Sequence, residues 1–202
     1  MQSTSQTNTN TAALASKMGE LFKQAAANGR NALNQAELNI LFADMGMGLA
    51  QEKATAEEKL AVDIRISLNN TREFGMVISA GIGGMDAELD ESNFGKDRAS
   101  VYAATDLTDA DNFLSLFRRT LAYQKLAAIA KRGGLPLPDP QLKTCFEQLL
   151  LLAANQSRGN AKTAFVLQSL ELNPANIGEH LIVQTAQCEF VPSQAPRLPR
   201  PI

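Results

Sequence analysis

Tryptophan is absent from this chain, histidine occurs once and cysteine twice in 202 residues. Cys145 lies in an apolar helical pattern and Cys188 near the end of a strand-like run, and neither has a second Cys or His beside it at metal-ligand spacing. Both read as buried free thiols. The lone His180 falls in a turn and reads as a surface histidine. The net charge of -2 is spread along the chain, so the electrostatic footprint that binds nucleic acid or an anionic membrane is missing. No apolar run approaches the roughly 20 residues that a bilayer crossing needs. The amino-terminal MQSTSQTNTN has neither the basic start nor the apolar core of an export signal. A cytoplasmic location with no nucleic-acid and no membrane partner is the expectation.

What the chain does have is apolar content: 45% hydrophobic and 20% charged residues are enough to bury one core without disulfides or metals. A single domain over residues 11–190 is expected. Residues 1–10, almost entirely Ser, Thr, Gln and Asn, predict a mobile tail. Residues 191–202, with Pro192, Pro196, Pro199 and Pro201, predict a linker.

Apolar residues three and four apart, Leu14, Met18, Leu21, Phe22 and Ala25, predict a first helix that stops at Asn28-Gly29. Asn34 with Glu37 predicts a capping box opening a second helix, with Leu38, Leu41 and Phe42 as its buried stripe. Val62, Ile64, Ile66 and Leu68 then alternate with Asp63, Arg65 and Ser67, the period of a half-buried strand. Phe74 to Ile82 predicts its hairpin partner, and Ala99 to Ala104 a third strand. Thr108 with Asp111 predicts a cap for a helix carrying Phe113 and Phe117 and running on to Ala130, and Asp139-Pro140 opens another to about Asn155. Two closing strands, Ala164 to Leu172 and Leu181 to Phe190, flank a turn at Asn173–Glu179. The fold class is therefore α+β, a mixed or antiparallel sheet of four to five strands packed by helices, with a helix pair added at the amino end.

Glu171 and Asn173 lie two apart on a strand, so their side chains project into the same space. A carboxylate and an amide oxygen suit a Mg²⁺ that keeps waters and holds phosphates. The same Glu-x-Asn-Pro sequence equally describes a turn in which Asn bonds the backbone and Pro ends the ladder. Gly81-Ile82-Gly83-Gly84 has two readings as well. Its backbone N–H groups allow close approach to phosphate, or its glycines permit a tight strand-to-loop turn.

Several segments in order resemble the ATP-grasp domain of the NDP-forming acyl-CoA synthetases, the ADP-forming acetate–CoA ligase family. Phe74 to Leu89 looks like that family's strand, glycine loop and acidic residue, with Glu88 on the family's glutamate. Lys96-Asp97-Arg98 falls on its basic-acidic pair, Thr105 to Thr108 precedes a helix as its Pro-Leu-Thr does, and Arg132-Gly133, the Asp139 helix and Leu170 to Pro174 follow in family order. Residues 33–190 are largely covered. The resemblance implies an ATP-grasp-like carboxyl-terminal subdomain, Mg-ATP as cofactor, and interconversion of acyl-CoA, ADP and phosphate with acid, CoA and ATP. It implies nucleotide contacts at Gly83, Gly84 and Glu88, metal contacts at Glu171 and Asn173, and a CoA-binding domain or subunit as partner.

The chain also departs from the family. Gly48 to Leu60 is too short for a strand-helix-strand unit, which takes roughly 30 residues, so the lysine- and histidine-bearing lobe has no counterpart. The family's second metal-binding acid falls near Gln184-Thr185. The chain therefore reads either as a subdomain of an acid–CoA ligase that is not catalytic alone, or as a docking or regulatory remnant of that lobe. An unrelated ligand-binding α+β domain is the third reading.

Overall fold

The computed structural model describes residues 3–49, 62–84, 96–156, 164–177 and 181–193. The elements run in the order α1 (Ser3–Ala27), α2 (Gln35–Asp44), β1 (Gly48–Leu49), β2 (Ile64–Thr71), β3 (Gly75–Ile82), α3 (Lys96–Ala99), β4 (Ser100–Ala104), a 3₁₀ turn (Thr105–Leu107), α4 (Ala110–Phe117), α5 (Leu121–Gly133), α6 (Asp139–Gln156), β5 (Phe165–Ile177) and β6 (Leu181–Pro192). Among the described residues the strands form one six-stranded sheet in the order β1-β6-β5-β2-β3-β4. Every pairing is antiparallel except β1 with β6. The α+β class stands, with one strand more than the expected four to five. The added strand is β1, two residues long and too short to leave an alternation in the sequence.

The strands bury one face. Ile64, Ile66 and Leu68 of β2, Ile78, Ala80 and Ile82 of β3, and Leu170 and Leu172 of β5 pack with Phe113, Phe117 and Phe146 of the helices in one continuous core. The alternation in β2 follows directly from this, because every second side chain must meet that helical layer. Helix α1 contributes Met18 and Phe22, both fully buried, so the amino-terminal helix is part of the core. Its backbone is helical from Ser3, eight residues into the expected tail. Extending a helix whose later turns are packed is less costly than nucleating one, so polar residues follow the apolar stripe.

Three further expectations change. The helix after β4 is capped by Asp109, whose side chain accepts from the Asn112 backbone N–H at 2.8 Å, one residue past the expected Thr108. That helix ends at Phe117 instead of running to Ala130. Thr120 restarts it as α5, accepting from the Tyr123 backbone N–H. The break is pinned where Arg118 and Tyr123 both donate to Asp139 at the start of α6, at 2.8 and 2.7 Å. Finally, β5 continues through Asn173 and Pro174 to Ile177, where a turn was expected, and β6 reaches Pro192, two residues into the expected linker.

The capping box opening α2 forms as the sequence predicts. The Asn34 side chain accepts from the Glu37 backbone N–H at 2.9 Å, and Glu37 accepts from the Asn34 backbone N–H at 2.8 Å. Arg30 adds a two-pronged ion pair to the same carboxylate, both contacts at 2.8 Å. This holds the chain just before α2 against the outer edge of β6, where the Leu33 N–H donates to the Cys188 carbonyl and the Phe190 N–H to the Asn31 carbonyl.

Candidate functional site

Directly paired residues in an antiparallel sheet share a face, so the register assigns the surface away from the helices. One row across it is Tyr102, Ser79, Ser67, Glu171 and Gln187. The row beside it pairs Gly81 with Arg65 in one direction and Asn173 with Thr185 on the far strands. This face is polar. The Ser67 and Ser79 hydroxyls are 2.7 Å apart, and the Asn69 amide donates to the Ser67 hydroxyl at 2.8 Å. Among the described residues the helices join the core on the opposite face, and an antiparallel sheet of this kind can leave its second face to a ligand or a second lobe.

Glu171 and Asn173 come together as the sequence predicts, on the same face of β5 and in the wall of one cleft of about 290 Å³. The other lining residues are Gln35 at the start of α2 and Gln184, Thr185, Ala186 and Gln187 of β6. Two bulges shape this wall. Asn173 pairs with Thr185 but Pro174 pairs with Val183, so Gln184 is an extra residue on β6; the pairing of Asn176 with Ile182 makes Ala175 the extra residue on β5. The first bulge reverses which side chains of β6 face the core. Leu181 and Val183 are buried before it, and Cys188 and Phe190 after it.

Both ends of the Asn173 carboxamide are engaged. Its Nδ2 donates to the Ile64 carbonyl of β2 at 3.2 Å, and its Oδ1 accepts from the Thr185 hydroxyl of β6 at 3.2 Å. A main-chain carbonyl only accepts, which fixes the amide nitrogen towards Ile64 and the oxygen towards Thr185. The expected turn is thus replaced by a tie across three strands. Among the described residues Glu171 is the one carboxylate in the cleft wall. Among the described residues no three of His, Cys, Asp and Glu gather as a metal site.

Gly83 and Gly84 lie at the end of β3, two strands from Asn173 and at the same end of the sheet. Adjacent strands are about 4.8 Å apart, so roughly 10 Å separates the two groups across the sheet. A Cβ on Gly83 would stand 3.1 Å from the Ile64 backbone carbon and 3.2 Å from the Arg65 nitrogen, and Gly84 has φ +62°. The Gly83 N–H donates to the Asp63 carbonyl at 2.8 Å, so this donor is used within the sheet. Glu88, the third expected nucleotide contact, lies outside the described residues, as do Glu179 and His180. Of the basic-acidic segment Lys96-Asp97-Arg98, Arg98 is exposed on α3.

Sequence reasoning missed Gln35 and Gln187 as cleft residues. Gln187 sits opposite Glu171 in the ladder, and its alternation with Thr185 and Glu189 along β6 is the signal that could have found it. Gln35 leaves no such signal, because only the docking of residues 31–33 on β6 brings it there.

Cys145 and Cys188 are buried free thiols. Burial pushes the Cys145 thiol up to about 12, and burial together with the neighbouring Glu189 carboxylate pushes Cys188 upward as well. Neither is a nucleophile or a metal ligand in this state. Among the described residues no helix is long and apolar enough to cross a membrane.

No protein-family model matches the chain, and no curated protein matches it. Solved structures do. The dinucleotide forming acetyl-coenzyme A synthetase 1 of Ca. Korarchaeum cryptofilum, in complex with coenzyme A and Mg-AMPPCP, superposes with a TM-score of 0.62 at 15% identity, covering 85% of this chain and 99% of that chain. The same organism's ACD1 in complex with coenzyme A gives 0.61 at 14% identity, and the apo form of the synthetase 0.59 at 15%, each over 85% of this chain and 99% of that one. At such identity the likeness establishes the fold: an α+β architecture shared with acetyl-coenzyme A synthetase chains over most of this chain's length.

Proposed function

We propose that this chain is an ATP-grasp-like subdomain related to those of NDP-forming acid–CoA ligases, and that it serves by docking to other parts of such a synthetase and not by catalysis on its own. The observation that carries this reading is the open polar face of the sheet. It presents Glu171 beside Asn173, with Gly83 and Gly84 at the same end, in a fold that resembles synthetase chains across 85% of its length.

The docking half of the proposal rests on what surrounds Glu171. With one carboxylate among the described residues of the cleft and the neighbouring amide tied to Ile64 and Thr185, these groups offer little to neutralise or organise a nucleotide's phosphates. The sequence between β1 and β2 is shorter than the roughly 30 residues that a strand-helix-strand unit takes. A partner of the CoA-binding type, as a domain or a subunit, would meet the polar sheet face that the described helices leave free.

Calorimetric titration of Mg-ATP onto the isolated chain tests this. The expected result is no binding in the micromolar range, together with co-elution when the chain is mixed with the CoA-binding subunit of an acid–CoA ligase from the same source. Micromolar Mg-ATP binding by the chain alone would overturn the non-catalytic reading, and failure to co-elute would overturn the docking reading.

A further inference from the structure

The geometry points to the outer edge of β4 as the contact of a two-fold dimer: β4 of one copy pairs antiparallel with β4 of a second copy, with Tyr102 at the axis. This contact lies away from the Glu171 cleft and stands whether or not the chain docks to a synthetase.

Among the described residues β4 closes the sheet order, with β3 on its inner side only. An edge strand exposes a row of N–H and C=O groups, which monomeric proteins blunt with charge, proline or a bulge. Ser100-Val101-Tyr102-Ala103-Ala104 has none of these, being uncharged and free of proline, and its register with β3 is unbroken. At five residues it is an ordinary strand in length. Tyr102 at its centre is 63% exposed, an aromatic of the kind that pairs across strands. Val101 and Ala103 alternate with it and are only partly buried against the core.

What selects a second copy over any other strand is the symmetry of two charges. Pairing β4 antiparallel with itself about Tyr102 matches each residue before Tyr102 with the one equally far after it. Tyr102 then opposes Tyr102, Val101 opposes Ala103 and Ser100 opposes Ala104, so every side chain meets one on its own face. Val101 and Ala103 complete their burial against each other. Carried outward, the same register brings Arg98 of one copy to Asp106 of the other, twice per dimer. Both are exposed, Arg98 on α3 and Asp106 in the 3₁₀ turn. They stand at similar reach from the axis, about 10 Å of chain rise on one side and about 11 Å on the other. Leu107, 87% exposed beside Asp106, gives the aliphatic stem of Arg98 an apolar surface. A two-fold contact requires such self-complementarity, whereas a contact with an unrelated strand does not. Because paired residues share a face, the axis is perpendicular to the sheet and the polar faces of both copies look the same way. Glu171 on β5 lies three strands from β4, about 14 Å, and takes no part in the contact.

Sedimentation velocity of the full chain tests this, from about 1 µM to about 300 µM, because so short a ladder buries little area and associates weakly. The expected result is a reversible monomer–dimer equilibrium with a Kd on the order of 10–100 µM. Tyr102→Lys sets two ammonium groups against each other at the axis and should weaken the dimer at least about tenfold. Arg98→Asp alone and Asp106→Arg alone should each weaken it by about three- to tenfold. The double variant should restore the natural Kd, because both pairs re-form with their signs exchanged. Arg98 and Asp106 lie outside β4, so this exchange carries the test if Tyr102→Lys does not fold. A chain that stays monomeric throughout would overturn the inference, as would a dimer indifferent to Tyr102→Lys or a double variant that rescues nothing. Growth past the dimer would overturn it too, since a two-fold contact uses the edge up. No measurement here involves ATP or a partner subunit, so failure is distinguishable from failure of the docking proposal.

Discussion

Phe22 of α1 stacks on Phe190 of β6 with ring centroids 4.5 Å apart and planes inclined by 20°. Phe165 meets the same Phe190 ring edge-on at 5.4 Å. The amino-terminal helix is thereby joined to the two strands that carry the cleft. Phe22 is fully buried, and truncating such a side chain removes its transfer energy and leaves a cavity. Phe22→Ala should cost about 3–5 kcal/mol in urea unfolding. A loss under about 1 kcal/mol would mean that α1 is an appendage and not part of the core.

Glu37 connects stability to pH. The hydrogen bond from Arg30 holds its carboxyl below the usual range, aided by the Asn34 backbone N–H and opposed by partial burial. A carboxyl lowered on folding contributes stability above its unfolded value of about 4.3, and that stability is lost as pH falls through the lower folded value. Glu37→Gln should cost about 1 kcal/mol at neutral pH, the scale of a lost cap. The gap between variant and natural chain should close in acid, below about pH 4. Melts from pH 7 down to pH 3 would show it, and a gap independent of pH would refute the assignment.

The two thiols give a prediction of opposite sign. Folding raises their pKa, so the folded chain keeps protons that the unfolded chain releases above its ordinary thiol value of about 8.5. Their contribution is complete below that value and is lost as pH rises towards the folded value, about 12 for Cys145. Stability should fall between about pH 8.5 and pH 11, and Cys145→Ala should lessen the slope by up to about 1.4 kcal/mol per pH unit. A thiol-reactive dye should label neither cysteine faster than the chain unfolds. Rapid labelling of native protein would show that one of the sites opens.

Much of this fold was legible because one side of the sheet is apolar and the other is not. Ile64, Ile66 and Leu68 could alternate only against a core, and Asn34 with Glu37 left the signature of a cap that forms as written. What hid was structure that breaks a period. The bulge at Gln184 moves the buried positions of β6 from Leu181 and Val183 to Cys188 and Phe190, a switch from odd to even visible in the sequence once a bulge is considered. Residues 118–120 were hidden by the apolar stripe continuing on both sides of them. The pairing of Glu171 with Asn173 was legible from spacing alone. The capture of the Asn173 amide was not, because Ile64 and Thr185 lie 109 and 12 residues away along the chain.

Gly81 tests the glycine segment where sequence left two readings. Its position on β3 faces Ser100 of β4 so closely that a Cβ would lie 2.4 Å from the Ala99 carbonyl oxygen and 2.7 Å from the Ser100 Cα. Those are backbone atoms, so relief requires β4 to separate from β3. At Gly83 the corresponding approaches are 3.1 to 3.3 Å, which a small shift of β2 relieves. Gly81→Ala should therefore destabilise by about 3 kcal/mol and Gly83→Ala by about 1 kcal/mol. Both are read by denaturant unfolding in the absence of any nucleotide. Should Gly81→Ala prove neutral, strand pairing would not be the reason for glycine there, and the phosphate-approach reading would gain by default.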